Sequence, residues 1–548
     1  MPSSLKIWIV FNVKCENGAA AYCIICQRFY LNKVRELQTE QSNMTDYESG
    51  KEVCYENPRS NKWQFINVFV YSFAMLFGGG AYLFNDLCLP PIRYKCEISD
   101  HNGVHNMSID QCDFFVTKNI STNISVEVSQ SCKKFKYVAN DVFETSARST
   151  FDLVCGRQRL VELDLFMFLA GGFVSCIVVS YFADNVGRKK ALIVSMLLAI
   201  SCELTLVFSP YYTIFLIARF IDGFAGVGVY HACFTACNEI VSPKFRNFIG
   251  LIIYFFFGGS LIFASLVSWL TRKWIPYVVI IALMNAIPLI CVIFIASESP
   301  RWLYLHRKCK NEKKEAKKVE KNEKLILEEN QVNEKPSSLF DFVLHQNMLG
   351  SMLTLTTCAI ASNFLYYGVL FSASLFHVKK HIYLVFMGAV EMPGALVYLL
   401  LSYYLSRRSV HFLSFVLGGS FCIIGAFLPK EGMWMIFVYA AAICGRLFAT
   451  SAMINTYMWS SEIVPTSHRA IGVGIIVGIG RLSSVTIPGL RILSDLLWSS
   501  ISPLCIGILG VSCGFLFRFL RETKDMHLLD TFQEYEIQLK YESKEIET

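Results

Sequence analysis

The sequence predicts an all-α membrane protein: twelve transmembrane helices in two six-helix bundles, with a glycosylated first extracellular loop. Three observations predict it. Of the 548 residues, 54% are hydrophobic and only 17% charged, and the mean hydropathy is +0.43. A soluble chain of this size has no core large enough to hide that much apolar surface, so its solvent is lipid. Next, twelve apolar runs approach the length that crosses about 30 Å of hydrocarbon. Finally, the chain repeats itself. Glu239-Ile240-Val241, with Arg246 seven positions after the Glu, returns as Glu462-Ile463-Val464 with Arg469. Arg188-Lys189 matches Arg407-Arg408, Arg219-Phe220 matches Arg446-Leu447, and Glu298-Ser299-Pro300-Arg301 echoes Glu522-Thr523-Lys524, at offsets of 219 to 227 residues. Such a repeat marks two homologous membrane bundles in tandem.

The runs cover residues 63–87, 161–182, 191–208, 212–233, 248–270 and 276–296, then 348–371, 383–405, 410–428, 433–457, 470–493 and 503–520. Backbone groups in lipid must bond within their own segment, so each run is read as a helix. Lys and Arg gather after the even-numbered runs: Arg188, Lys189 and Lys190; Lys244 and Arg246; a stretch from Arg301 to Lys324; Arg407 and Arg408; Arg469; Arg521 and Lys524. This places those loops and both termini in the cytoplasm, with Arg272, Lys273, Lys379 and Lys380 as the exceptions. The net charge of +7 follows from this asymmetry and gives no reason to invoke nucleic acid.

The expected organisation is a cytoplasmic tail (1–62), a first bundle (63–300) that includes the extracellular loop 88–160, a cytoplasmic linker (301–345), a second bundle (346–522) and a cytoplasmic tail (523–548). The linker alternates Lys and Glu at helical spacing and reads as a solvated helix. The opening segment is broken by Asn12, Lys14, Glu16 and Asn17, and reads as tail rather than as a cleavable leader.

Loop 88–160 carries glycosylation sequons at Asn106, Asn119 and Asn123, and five cysteines. Together these indicate an ectodomain in an oxidising compartment, and hence the plasma membrane. Cys96, Cys112, Cys132 and Cys155 are the disulfide candidates; Cys88, next to the membrane, is expected to be left over. A further sequon at Asn43, on the cytoplasmic side, is expected to stay unmodified.

Asp184-Asn185-Val186-Gly187-Arg188-Lys189-Lys190, directly after the second run, resembles the Asp-x-x-Gly-Arg-Arg/Lys signature of the major facilitator superfamily. Phe151-Asp152-Leu153-Val154-Cys155 ends the ectodomain, Glu298-Ser299-Pro300-Arg301-Trp302-Leu303 closes the sixth run, and Tyr366-Tyr367-Gly368 lies in the seventh. Val390-Glu391-Met392-Pro393 lies in the eighth, and Arg521-Glu522-Thr523-Lys524 closes the twelfth. This combination resembles solute carrier family 22, the organic cation, organic anion and carnitine transporters, over residues 63–525. Two departures stand out. Ser180 replaces the usual Gly four positions before Asp184, and the second-half loop Tyr403–Arg408 lacks both the Asp and the Gly. The second gate is therefore expected to be looser, or balanced by other residues.

The resemblance implies a substrate site near the midplane and two gates that open alternately. Asp184, Gly187, Arg188, Glu239 and Arg246 are the expected gate residues of the first half, and Arg407, Glu462 and Arg469 those of the second. They are expected to pair within each half as partly exposed pairs of about 0.2–1 kcal/mol. By family position, Tyr230, Phe234, Tyr366 and Tyr367 contact substrate, and aromatic rings attract ammonium groups by about 0.5–2 kcal/mol each. Arg481 matches an Arg of the anion and carnitine transporters, and Glu391 a carboxylate of the cation and carnitine transporters. Two readings stay open: Glu391 and Arg481 hold the two ends of a zwitterion such as carnitine, or they neutralise one another and the rings select cations. Arg219 and Arg446, at equivalent places in the repeats, read as structural or gating, and Asp222 and Glu203 as further intramembrane ionisable groups. His231 is either a proton carrier or a simple hydrogen-bonding partner.

The expected activity is transport of small organic cations or zwitterions by alternating access, with sodium or a proton as the coupling ion. An organic anion exchanger, a sugar porter and a non-transporting receptor or vesicle glycoprotein are the alternatives. The chain has no phosphate-cradling Gly-x-x-x-x-Gly-Lys-Ser/Thr, no zinc-spaced His/Cys cluster and no nucleophile elbow, so neither enzyme activity nor a cofactor nor a metal is expected.

Overall fold

The computed structural model describes residues 61–76, 78–90, 92–96, 107–109, 112–121, 124–132, 134–138, 144–241, 245–303, 346–371, 380–429, 432–465, 469–498, 500–516, 520 and 522–524. Residues 1–64 form a unit of their own, of which the first turn of one helix is described. The expected positions Asn106 and Asn123 and the linker 304–345 lie outside the described residues, as do the side chains of Cys96 and Asn119.

The helices are α1 (Asn61–Phe73), α2 (Gly79–Cys88), α3 (Leu160–Val186), α4 (Arg188–Phe208), α5 (Tyr212–Ile240), α6 (Arg246–Thr271) and α7 (Trp274–Phe294). The second half adds α8 (Gln346–Phe371), α9 (Lys380–Tyr404), α10 (Arg407–Phe427), α11 (Trp434–Ile463), α12 (Arg469–Val485), α13 (Ile487–Leu496) and α14 (Ile501–Gly514). Among the described residues nine helices are long and apolar enough to span a membrane. The first and eleventh spans, read from sequence as unbroken, are each split in two, and the twelfth is a shorter apolar helix. A glycine run stands at one break and a proline at the other. Gly78-Gly79-Gly80 lets α2 press close to its neighbours: a Cβ on Gly79 would lie 2.0 Å from Ser260 Oγ of α6. Pro488, in the first turn of α13, lacks the N–H that would continue α12.

The repeat is visible in the packing. In the first half α3 lies on α5, α5 on α4 and α4 on α7; in the second, α9 lies on α11, α11 on α10 and α10 on α14. The halves meet where α3 packs on α12 and α6 on α9. Ser180 of α3 faces this seam, and the small residue comes from the opposite helix: a Cβ on Gly474 of α12 would lie 2.1 Å from the Cys176 carbonyl oxygen and 2.5 Å from Ser180 Oγ. The missing glycine is supplied by the partner helix.

Between α2 and α3 the loop folds into antiparallel strands, which the all-helical reading did not include. Strands β1 (Arg93–Cys96) and β5 (Phe135–Val138) pair, and β2 (Met107–Ile109), β3 (Asp113–Ser121) and β4 (Ile124–Ser131) form a second sheet. The alternation in Ile124-Ser125-Val126-Glu127-Val128 carries this signal in the sequence. Cys112 and Cys155 are bridged, Cys132 is disulfide-bonded, and Cys88 is a buried free thiol.

At the end of the bundles that carries the Glu-Ile-Val repeat, each half builds the same charge cluster. Arg188 donates to Asp184 Oδ1 (2.8 Å) and Glu239 Oε1 (2.9 Å), and Ser299 Oγ donates to Glu239 Oε2 (2.5 Å). Its counterpart Arg407 donates to Glu462 Oε1 (2.7 Å), and Thr523 Oγ1 donates to Glu462 Oε2 (2.6 Å). Glu298 and Glu522 accept from the first N–H groups of α4 and α10, where a helix N-terminus favours an anion. Gly187 is required twice over: its φ is +122°, and a Cβ would lie 2.4 Å from Glu298 Oε2.

Two expectations are corrected here. Each glutamate keeps Arg188 or Arg407 of its own half, but the arginine seven positions on is exchanged between the halves: Arg246 lies 3.6 Å from Glu462, and Arg469 lies 3.9 Å from Glu239. The pairs are also buried rather than partly exposed. The absent Asp of the second half is replaced by Tyr398 Oη (2.6 Å) and by Asn247 Oδ1 (2.8 Å), which reaches Arg407 from the start of α6. In the first half the same seam is bridged from the other side, where Asp184 Oδ2 accepts the Ile471 N–H at the start of α12 (2.8 Å).

Burial sets the cost of breaking these contacts. Glu462→Gln strands Arg407 and Arg246 and is expected to destabilise the protein by about 3–5 kcal/mol. Glu144→Gln, which removes a half-exposed pair with Lys273, is expected to cost about 0–1 kcal/mol. Thermal unfolding of the purified variants measures both; equal shifts contradict the ranking.

Candidate substrate site

Near the middle of the spans, two polar clusters lie side by side. The first surrounds Arg446 of α11. Glu391 of α9 is fully buried and forms an ion pair with Arg446; it also accepts from Tyr366 Oη (2.9 Å) and Thr450 Oγ1 (2.9 Å). The Tyr366 ring lies under the Arg446 guanidinium at 3.5 Å, and its carbonyl accepts from the same arginine. The first half repeats this arrangement. Arg219 donates to Asp164 Oδ1 (2.8 Å) and lies over the rings of Phe84 (4.3 Å) and Phe168 (4.7 Å). Asp164 and Glu391 are 227 residues apart, as are Arg219 and Arg446.

This overturns the reading in which Glu391 and Arg481 neutralise one another. Both Glu391 oxygens are already bonded, and its cation is Arg446. Tyr366 is likewise held by Glu391 and Arg446. Of the six residues expected at the substrate site, the structure brings Tyr230, Phe234, Tyr367 and Arg481 together and holds Tyr366 and Glu391 in the adjoining pair.

The second cluster surrounds Arg481 of α12, which is 3% exposed. Its Nη1 donates to Tyr367 Oη (3.1 Å) and its Nη2 to Tyr457 Oη (3.5 Å), while Nε has no hydrogen-bond partner among the described residues. Its nearest electrostatic neighbours are Tyr367, Tyr457, Tyr82 and Cys176, and among the described residues it forms no ion pair with a carboxylate. Tyr230 and Phe234, four apart on α5 and hence on one face, stack at 6.2 Å, and each lies 5.2 Å from the Tyr457 ring. Tyr82 stacks on Tyr367 at 6.5 Å, and Tyr230 Oη donates to Tyr254 Oη (3.2 Å). His231 Nε2 lies 3.1 Å from Cys176 Sγ, and its ring packs on Tyr457. Sequence reasoning missed Tyr82, Tyr254 and Tyr457, since one ring in an apolar helix of an aromatic-rich chain carries no mark of its place.

Among the described residues, the cluster with metal-ligand chemistry is Cys358, His411 and Cys513, whose ligand atoms lie within 4.8 Å of one another. His411 Nε2 already bonds the Cys513 carbonyl oxygen (3.2 Å) and approaches Cys358 Sγ (3.6 Å), so the imidazole ties α8, α10 and α14 together.

Comparison with known proteins fits this architecture. Residues 100–535 match the family described as "Sugar (and other) transporter". Solute carrier family 22 member 3 of Rattus norvegicus is 29% identical over 398 residues, 71% of this chain and 71% of that protein. Organic cation transporter 1 of Caenorhabditis elegans is 27% identical over 417 residues, 72% of this chain and 70% of that protein. The solved structure of the proton:xylose symporter XylE bound to 6-bromo-6-deoxy-D-glucose superimposes with a TM-score of 0.59 at 15% identity, covering 85% of this chain and 98% of that one, which shows a shared fold. The chain belongs to the sugar (and other) transporter family, and within it is similar to members of solute carrier family 22.

Proposed function

We propose that this protein moves small organic ions that carry a carboxylate, zwitterions such as carnitine foremost, across the plasma membrane by alternating access. One observation carries the substrate class. Arg481 is buried without a carboxylate among the described residues, whereas every other buried arginine there has one. An unpaired charge inside a membrane protein costs several kcal/mol, and a substrate carboxylate offsets that cost. Tyr82, Tyr230, Phe234 and Tyr457 then face the organic part and any ammonium group. The names of the relatives, solute carrier family 22 member 3 and organic cation transporter 1, support an organic ion. They also favour a second reading, a simple organic cation held by the rings alone.

The cytoplasm lies at the charged end, by the bias of Lys and Arg toward the even loops. There the exchanged pairs form a gate between bundles 63–300 and 346–522. The crossing contacts Arg246–Glu462 and Arg469–Glu239 (3.6 and 3.9 Å) are longer than the pairs inside each half (2.7–2.9 Å). Opening therefore breaks these longer ion pairs together with the Asp184–Ile471 and Arg407–Asn247 hydrogen bonds, and leaves each half's own ion pairs intact. Asn119, in strand β3, and its neighbours Asn106 and Asn123 are proposed as glycosylation sites on the opposite face.

Uptake of labelled carnitine, para-aminohippurate and tetraethylammonium by cells expressing the protein at their surface tests the assignment. Carnitine or para-aminohippurate is expected to enter above control, and Arg481→Asp to abolish that uptake while sparing or raising entry of tetraethylammonium. Entry of tetraethylammonium alone favours the second reading, and no entry of any of the three rejects both. Glu391→Gln is expected to lower the unfolding temperature while leaving the preference among the three compounds unchanged. A switched preference at full stability contradicts its structural assignment.

A further inference from the structure

The repeat shows where the two bundles part company. Asp164 and Arg219 have mates in Glu391 and Arg446, but the first bundle holds two more carboxylates, Asp222 and Glu203. By the offsets of their own helices, the second bundle has Ala449 and Cys422 in those places. Ala449 and Cys422 lie in an apolar cluster with Leu365, Val369 and Ile506. Asp222 and Glu203 instead line a cavity between α2, α4, α5 and α7, together with Tyr82 and Asn285.

Both Glu203 oxygens accept from the single amide nitrogen of Asn285 (2.9 and 3.0 Å). Asp222 Oδ2 takes Arg219 Nη1 at 2.5 Å, whereas Oδ1 is buried and has no hydrogen-bond partner among the described residues. Arg219 is shared with Asp164, so three carboxylates face one cation. The other titratable groups facing them are Cys88 and Tyr82 of α2, Cys202 of α4, Tyr212 of α5 and Tyr277 of α7. All are thiols or phenols and add no positive charge. With all three carboxylates ionised, an uncompensated negative charge would sit inside the bundle, where charge is costly.

We propose that Glu203 and Asp222 bind an exchangeable proton and that this proton is the coupling ion of transport; the coupling rests on the transport reading above. The proton leaves to water and returns from water, and the space open to a water centre, ≈ 20 Å³, admits about one molecule to bridge the two carboxyl groups. A metal cation stripped of water needs more oxygen ligands than this wall supplies, since Ala74, Met75, Ala199 and Val229 make up much of the rest. Tyr82 gives a physical link to the substrate site. It lines this cavity, stacks on Tyr367 and lies within electrostatic reach of Arg481.

Infrared spectroscopy of the purified full-length protein tests the site without any substrate. A protonated-carboxyl band is expected at neutral pH, lost on alkaline titration and missing from Glu203→Gln and from Asp222→Asn. Spectra unaltered by both substitutions overturn the proposal. If those variants fail to fold, Glu203→Cys with Asp222→Ala copies residues that the second bundle already packs, and the same band must be missing. Coupling is then read in liposomes with labelled carnitine, para-aminohippurate and tetraethylammonium. An imposed proton gradient is expected to drive accumulation in the wild type, and Glu203→Gln to reduce it at least tenfold while keeping exchange of labelled for unlabelled compound. Exchange in the wild type without gradient-driven accumulation overturns the coupling. Absence of exchange for all three compounds rejects the transport reading, and the infrared band still decides the proton site.

Discussion

A charged group inside a bilayer needs a partner, and the placement of nearly every functional residue here follows from that constraint. Arg188, Arg219, Arg246, Arg407, Arg446 and Arg469 are buried, and each has a carboxylate within 4 Å. Such pairs add little net stability, because desolvation offsets most of the attraction, but removing one partner is expensive. They therefore specify which helices meet rather than how tightly. Arg219 and Asp164 fix α5 against α3, and Arg446 and Glu391 fix α11 against α9.

The same constraint explains why the charged end can serve as a gate. Each glutamate of the Glu-Ile-Val repeat is satisfied first within its half, by Arg188 and Ser299 or by Arg407 and Thr523. The arginine seven positions on is then available to the other half. Separating the halves breaks the two longer ion pairs and the Asp184–Ile471 and Arg407–Asn247 hydrogen bonds, while the short ion pairs travel with their own bundle. The seven-residue spacing of Glu and Arg shared by the two copies thus encodes a connection between copies.

Much of the fold was legible in the sequence, because a 3.6-residue helix in lipid needs only length and apolar character to be found. The breaks were also written there, as a glycine run that weakens a helix at Gly78 and a proline that removes a helical N–H at Pro488, but run length alone hid them. The pairing of Glu391 with Arg446 was within reach: Arg219 and Arg446 align in the repeat, and carrying the same offset to Asp164 identifies Glu391 as its mate. The exchange of Arg246 and Arg469 was out of reach, since it depends on how α6 meets α9 and how α12 meets α3, which no spacing within one helix records. Tyr457 was hidden for a different reason, because its role comes from the meeting of α5, α11 and α12 around Arg481.

Arg481 is the point at which the constraint is left unfulfilled by the described residues, and this makes it the centre of the account. Tyrosine hydroxyls accept its hydrogen bonds but return no full charge. The most direct measurement is equilibrium binding of carnitine and of its uncharged-carboxyl counterpart, carnitine amide, to the purified protein. The account predicts that carnitine binds at least tenfold more tightly and that Arg481→Gln erases the difference. Equal affinities in the wild-type protein, or a preference that survives Arg481→Gln, would contradict it.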